Sequence, residues 1–285
     1  MPRLSRRARM LSVMMPCALT LLIAPARTLL SQPPGSPGAA RPNPPQGPPV
    51  PTTFEGLFAE RDLRARGALQ YMQCLQETTQ AARNGALGDM SPSWSIACVP
   101  QGNEWRGAVV ELITKDPGVR VHRQWALRGS GMAVRDRVDT TLVSSVAYAM
   151  ERGMSVVRPG RGVADFMPIA LVHSGYSEVW FLPALGNSAR PVVGGDSVIQ
   201  MKQDGTGELG HAKNTPPIRT LTAPTANVPW TIVSSEERVP LISELIAARR
   251  GVAVAGEVRL RTKDYDSVLR RNGAWTHTLR AGAKP

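Results

Sequence analysis

The chain is poor in aromatic residues, histidine and cysteine, and each shortage excludes a class of function. Phe, Tyr and Trp make up only 5% of the residues. Proteins that bind nucleic acids usually combine a basic stripe with aromatic rings on which bases stack, and no segment combines the two. We therefore expect no specific nucleic-acid partner.

The four histidines and three cysteines form no metal-binding motif. No H-x-H, H-E-x-x-H, H-x-x-E-H or C-x-x-C spacing occurs. The phosphate-binding loop, the dinucleotide fingerprint and the G-x-S-x-G serine elbow are absent as well. The sequence motifs therefore indicate no cofactor.

The N-terminus has the three regions of a secretory signal peptide. A basic start precedes an apolar stretch over residues 10–23, and the small-residue site Ala24-Pro25-Ala26 follows. A membrane-spanning helix needs about 20 apolar residues, whereas Pro16 interrupts this run and Arg27 ends it. We predict a cleaved signal peptide over residues 1–26, with export to the periplasm or the extracellular medium. The alternative is a permanent membrane anchor.

A proline-rich segment follows the signal, with nine prolines among residues 32–51. Such a composition has few backbone donors and little to bury, so residues 27–53 are predicted to be a disordered linker. A PxxP ligand for a partner is the alternative function of this segment. The rest of the chain, 54–285, is predicted to be a single globular domain.

Basic residues outnumber acidic ones by 34 to 22 over the full chain, and they are spread along it. A diffuse positive charge favours contact with anionic polymers, such as those of a bacterial envelope, without specifying a ligand. Signal removal leaves two cysteines, Cys74 and Cys98, and in an oxidising compartment a pair is most simply a disulfide. The alternative is that one of them is a catalytic thiolate paired with a histidine base.

The domain has the pattern of an α+β fold, a mainly antiparallel sheet packed with an N-terminal helix and two or three further helices. Apolar residues at 3- and 4-residue spacing predict the first helix over 54–83 and a second over 135–152. A third is predicted over 239–249 with Ser235 as N-cap, and a short fourth over 263–270. Strands are predicted between them, the first over 94–99.

Short motifs in the C-terminal half resemble a family of uncharacterised secreted bacterial proteins. They are Trp180-Phe181-Leu182-Pro183-Ala184, Gly194-Gly195-Asp196, Asp204-Gly205, His211 and Ser235-Glu236-Glu237-Arg238-x-Pro240. The resemblance covers about the last hundred residues and implies no activity, cofactor or partner. It implies that this segment is one unit of the fold.

Asp196 is the candidate catalytic residue, because two preceding glycines allow an unusual backbone path that can expose the next side chain. His173 and His211 are candidate catalytic residues as well, because together with Asp196, and with Glu236 or Glu237 as base, they could assemble a site for metal-assisted hydrolysis. Alternatively, Asp196 only bonds its neighbours in a turn.

Two functions are therefore compatible with the sequence. The leading hypothesis is an exported, non-catalytic interaction domain of the envelope or extracellular space, with an unknown ligand. The alternative is a hydrolase with its site near Asp196, His173 and His211. Convergence of these side chains in one pocket would favour the enzyme.

Overall fold

The structure is a computed structural model, and the residues that it describes exclude the signal and linker segments. The predictions for residues 1–52 therefore lie outside the described residues. The described residues are 53–84, 91, 93–101, 104–113, 118–128, 132–135, 139–157, 166–183, 190–203, 207–213, 217–234 and 238–283.

An α+β architecture is observed, as the sequence predicts, and the chain follows one plan three times: a helix, then an antiparallel meander. The described helices are α1 (Phe54–Asn84), α2 (Thr140–Val157) and α3 (Ile242–Ala255). None of these described helices is long and apolar enough to cross a membrane. The described strands are β1 (Trp94–Gln101), β2 (Glu104–Ile113), β3 (Gly118–Arg128), β4 (Met132–Arg135), β5 (Phe166–Val172), β6 (Tyr176–Pro183), β7 (Val192–Val193), β8 (Ser197–Lys202), β9 (Glu208–Lys213), β10 (Arg219–Thr220), β11 (Trp230–Val233), β12 (Glu257–Arg261), β13 (Tyr265–Arg270) and β14 (Trp275–Leu279).

The strands form three four-stranded sheets and one small pair. The first sheet has the order β1-β2-β3-β4, the second β5-β6-β8-β9 and the third β11-β12-β13-β14, while β7 pairs with β10. All pairs are antiparallel except β11 with β12. The helix α3 lies between these two strands in the chain, which is the usual way of connecting parallel neighbours.

A disulfide joins α1 to the first sheet, which confirms the prediction for Cys74 and Cys98. Both cysteines are buried, Cys74 on α1 and Cys98 on β1. Close packing surrounds this bond: a Cβ atom added to Gly107 of β2 would lie 1.7 Å from the hydroxyl oxygen of Thr78 on α1. The helix thus lies directly on the backbone of the sheet, and a side chain at Gly107 would force it away.

The third sheet is tied to α1 through a buried carboxylate. Asp62 accepts a hydrogen bond of 2.7 Å from Nε of Arg249 on α3 and one of 3.1 Å from the indole of Trp275 on β14. A buried carboxylate is stable only when donors satisfy it. Asp62 therefore connects three elements that are far apart in the sequence.

Several helix predictions are wrong in detail. The segment 263–270 holds no helix; its residues from Tyr265 onward form β13, whose buried side chains alternate and which pairs with β12. The second helix begins later than predicted, because Asp139 accepts the backbone N–H bonds of Thr141 and Leu142 as its N-cap. The third helix begins at Ile242, since proline at 240 disfavours helical geometry just before it.

Candidate functional site

The Gly194-Gly195-Asp196 segment folds as the glycine pair requires. Gly194 and Gly195 have φ angles of 96° and 70°, a region that other residues rarely adopt. A Cβ atom on Gly194 would also lie 2.5 Å from the carbonyl oxygen of Pro217. The sequence correctly identified an unusual backbone path, and this path turns the carboxylate of Asp196 inward, where only 1% of the residue is exposed.

Asp196 serves as a buried cap for α3. Its Oδ1 accepts a 2.6 Å hydrogen bond from the hydroxyl of Ser243, and its Oδ2 accepts a 2.9 Å bond from the backbone N–H of that serine. The serine hydroxyl oxygen in turn accepts the N–H of Gly194. Burial raises the pKa of Asp196 to about 6, against the lowering effect of the two bonds from Ser243. The bonds leave its own turn and reach a helix 47 residues away in the sequence.

The other predicted catalytic residues lie apart from Asp196 where the structure describes them. Ser197 pairs with Phe181 at one end of β6, whereas the backbone N–H of His173 bonds Tyr176 at the other. Tyr176 and Phe181 are five residues apart along the strand, which corresponds to about 17 Å. The backbone of His211 pairs with Ile199. The side chain of His211, like Glu236 and Glu237, lies outside what the structure describes.

A second buried carboxylate, Glu178 of β6, organises the site around His173. Arg64 of α1 donates two hydrogen bonds to it, of 2.8 and 2.9 Å, and the indole of Trp180 donates a third of 3.0 Å. His173 Nε2 lies 3.5 Å from the same carboxylate, at the outer limit of hydrogen-bonding distance. Glu60, one turn before Arg64, contacts the guanidinium at 2.7 Å.

The charge on Glu178 is strongly stabilised. Burial alone would raise the pKa of this carboxyl group. The neighbouring His173 ring, the hydrogen bonds from Arg64 and the charge of Arg64 outweigh burial and hold the pKa far below its usual range. The Glu178 side chain is only 2% exposed. It is therefore an ionised group that lies buried beside an exposed surface of the second sheet, and it fixes the positions of the side chains bonded to it.

The surface beside Glu178 is formed by residues of β6 and β8 in the second sheet. His173 stacks on Tyr176, with ring centres 4.7 Å apart and planes 18° from parallel. In register on β8, Lys202 lies opposite Tyr176 and Gln200 opposite Glu178, so all four are on one face. Lys202 and Gln200 are exposed. We call His173, Tyr176, Trp180, Gln200 and Lys202 the aromatic face.

Sequence reasoning selected His173 but missed Glu178 and its neighbours. The available signal was the alternation of Tyr176, Glu178 and Trp180 along a strand whose other residues are mostly apolar, which puts a charge between two aromatic rings on one face. Among the residues that the structure describes, no group of three or more His, Cys, Asp or Glu side chains could hold a metal ion. The arrangement around Glu178 is suited to holding rings in fixed positions.

Comparisons with known proteins give no family for the chain. No family model and no curated protein matches it. Among solved structures, it is similar to the Bacillus megaterium YpeB C-terminal domain at 12% sequence identity and a TM-score of 0.20. That match covers 48% of this chain and 61% of the other, less than two thirds of its length. A TM-score this low carries no argument about fold or function.

Proposed function

We propose that this chain is an exported, non-catalytic interaction domain of a bacterial envelope and that it binds an anionic glycan on the aromatic face. The signal-like N-terminus and the disulfide support export, because disulfides persist in oxidising compartments. Removal of the signal leaves 30 basic and 22 acidic residues, and this net charge of +8 supports an anionic ligand. The stack of His173 on Tyr176, beside the buried carboxylate of Glu178, is the observation that carries the proposal.

Rigid aromatic rings at a surface provide binding area at low entropic cost. Glu178 holds the indole of Trp180 and faces His173, so both rings keep their positions before a ligand arrives. Lys202 and Gln200 add one positive charge and one amide beside the rings. Sugar rings with carboxylates or phosphates would find an apolar surface and a cation within one patch.

The two buried carboxylates are poor candidates for acid–base catalysis. A general base works best when its pKa lies near the working pH, and Glu178 has a pKa far below that range because of its hydrogen bonds and its ion pair. Asp196 has a suitable pKa, about 6, but it is buried and bonded to Ser243. A hydrolase using Asp196, His173 and His211 remains the alternative hypothesis, and metal analysis with hydrolysis assays on the purified protein tests it.

Co-sedimentation with purified insoluble cell-wall glycan tests the proposed function. The chain offers a matched control, because Trp94 stacks on His122 with ring centres 4.2 Å apart on the first sheet. We expect Tyr176→Ala to weaken binding about fivefold or more, as for central aromatic residues of interfaces, and Trp94→Ala to leave it within twofold. Removing carboxylates and phosphates from the glycan should weaken binding by both the Tyr176→Ala and the Trp94→Ala variant.

An equal loss in the two variants would remove the aromatic face as the site. Binding that depends only on salt, and not on Tyr176, would reduce the interaction to general charge. Export is tested separately by N-terminal sequencing of the secreted product, which we expect to begin near Arg27. A product that starts at Met1 and remains in the membrane fraction would indicate an anchor.

A further inference from the structure

A separate groove, away from the aromatic face, runs along the C-terminal half of α1. Its volume is about 710 Å³. Three lining residues, Met72, Leu75 and Met167, are apolar and at least partly buried, and we call them the floor; the other lining residues are polar or basic. The seven lining residues of α1 share one side of the helix, because they recur at spacings of three and four: Met72, Leu75, Gln76, Thr79, Gln80, Arg83 and Asn84.

Two arginines line this groove without an acidic partner among the described residues. Arg83 lies in the last turn of α1, and Arg250 lies in the second half of α3. The only side-chain hydrogen bond of Arg250 in the described part of the chain goes to the sulfur of Met72, at 3.6 Å. Burial lowers the pKa of Arg250, with no carboxylate to offset the loss of hydration. The arginines Arg64 and Arg249, by contrast, are paired with buried acids.

Three side-chain amides, each one helical turn after the last, line the groove along α1, and we call them the amide ladder. Gln76, Gln80 and Asn84 make no side-chain hydrogen bond to other described residues, although each amide can donate and accept. Their spacing of four residues corresponds to about 6 Å along the helix. Two residues of an extended peptide span about 6.6 Å, so alternate backbone groups of such a peptide meet successive amides.

We infer that this groove binds an acidic peptide segment of another protein in an extended conformation. The amide ladder bonds the peptide backbone, Arg83 and Arg250 bind its carboxylates, and the floor takes an apolar side chain. The groove is about 18 Å long from Met72 to Asn84, which accommodates five or six extended residues. The chain's own N-terminal segment does not fit this description, because residues 27–53 contain no Asp or Glu.

Fluorescence anisotropy with a labelled, end-blocked hexapeptide of alternating Asp and Leu tests the inference. The double variant R83Q/R250Q should raise Kd about tenfold, since exposed ion pairs give up to about fivefold each. The control double variant R152Q/R270Q removes the same charge from exposed arginines on α2 and β13 and should change Kd less than twofold. The matching Asn–Leu hexapeptide should bind wild-type protein at least tenfold more weakly.

The amide ladder has its own test. Gln76→Ala with Gln80→Ala should weaken binding of the Asp–Leu peptide about threefold or more, in the range expected for lost hydrogen bonds. For a peptide whose backbone is N-methylated at alternate positions, the same double variant should bind as strongly as the wild-type protein does. This result separates backbone recognition from charge.

Three results would overturn the inference. The first is no saturable binding of the Asp–Leu peptide by wild-type protein. The second is an equal loss in the groove and control variants, which would indicate only the general positive charge. The third is tighter binding of polyphosphate that depends on Arg83 and Arg250 but not on the glutamines, because the groove would then be a site for a non-peptide polyanion. None of these results bears on Tyr176, so the two proposals fail independently.

Discussion

Glu178 and Asp196 are both buried carboxylates of the second-sheet region, yet their surroundings have opposite effects on their charge. Glu178 faces the guanidinium of Arg64, which donates two hydrogen bonds to it. Asp196 faces the hydroxyl and the backbone N–H of Ser243, which are uncharged donors. The pKa of Glu178 is held far below its usual range by its bonds and ion pair, whereas burial raises the pKa of Asp196 to about 6.

The difference shows that the partner of a buried acid, more than its burial, decides its charge. Both groups lose hydration, which favours the neutral form. A cation at hydrogen-bonding distance reverses this effect at Glu178, and two neutral donors do not reverse it at Asp196. Glu178 is thus a permanent charge under the aromatic face, and Asp196 is a titratable cap of α3.

The largest expected effect comes from removing the cation of the pair. Arg64→Met leaves Glu178 as a buried charge without its main partner, which typically destabilises a protein by about 3–5 kcal/mol. Urea denaturation at pH 7 measures the loss. Arg66→Met is the control, because Arg66 contacts Asp62 at 3.4 Å with its side chain 55% exposed and should matter by less than about 1 kcal/mol. If Arg64→Met and Arg66→Met were equally mild, Glu178 would not be charged as we describe.

The disulfide stabilises the same fold without depending on ionisation, so its removal is a reference for the pH dependence of stability. It joins residues 24 apart, and replacing Cys74 and Cys98 together by alanine should lower the free energy of unfolding by about 2–5 kcal/mol. The pH dependence of stability between pH 3 and 7 should keep its shape, since neither cysteine titrates. A changed pH profile would mean that loss of the disulfide also rearranges the carboxylate sites. Free-thiol titration of the exported protein provides the accompanying check.

How far the sequence predicts these features depends on the distance over which they act. The course of α1 and the Cys74–Cys98 bond follow from local apolar spacing and from a single cysteine pair. The partners of the buried acids do not, because Arg64 and Glu178 are 114 residues apart and Arg249 and Asp62 are 187 apart. Such pairs are set by how three meanders pack around one helix, which no local pattern encodes.

Strand β13 shows a local limit of the same kind. Its segment is short and contains residues that suit either state, and the burial of Ser267 and Leu269 against neighbouring elements decides for a strand. Tertiary packing overrides weak helix propensity in such segments. The glycine pair before Asp196, in contrast, was a correct local signal of unusual backbone, although the sequence did not specify that the carboxylate points toward Ser243.

An intermediate loss of stability, which decreases as the pH is lowered, is expected for Glu178→Gln. Because the folded-state pKa is depressed below the ordinary value of 4.5, the stability that Glu178 contributes is present above about pH 4.5 and is lost as the pH falls further. The variant should therefore be less stable than wild type by about 1.5–3 kcal/mol at pH 7. This gap should shrink steadily as the pH is lowered from 4.5 toward 2. A gap that is constant with pH would contradict an ionised Glu178.

The smallest loss of stability, with the opposite dependence on pH, is expected for Asp196→Asn. Its folded-state pKa of about 6 lies above the ordinary value of 3.8, so wild-type Asp196 favours folding most at low pH and loses that contribution as the pH rises toward 6. The amide keeps the shape but cannot accept the Ser243 N–H and hydroxyl bonds equally well. It should lower stability by about 1 kcal/mol at pH 4, with the gap narrowing at pH 7. Parallel urea titrations with Glu178→Gln make the two trends cross, and trends of the same sign would refute the assignment of one charged and one titratable acid. Glycan binding should stay unchanged in Asp196→Asn, because a cap buried at α3 does not touch the aromatic face.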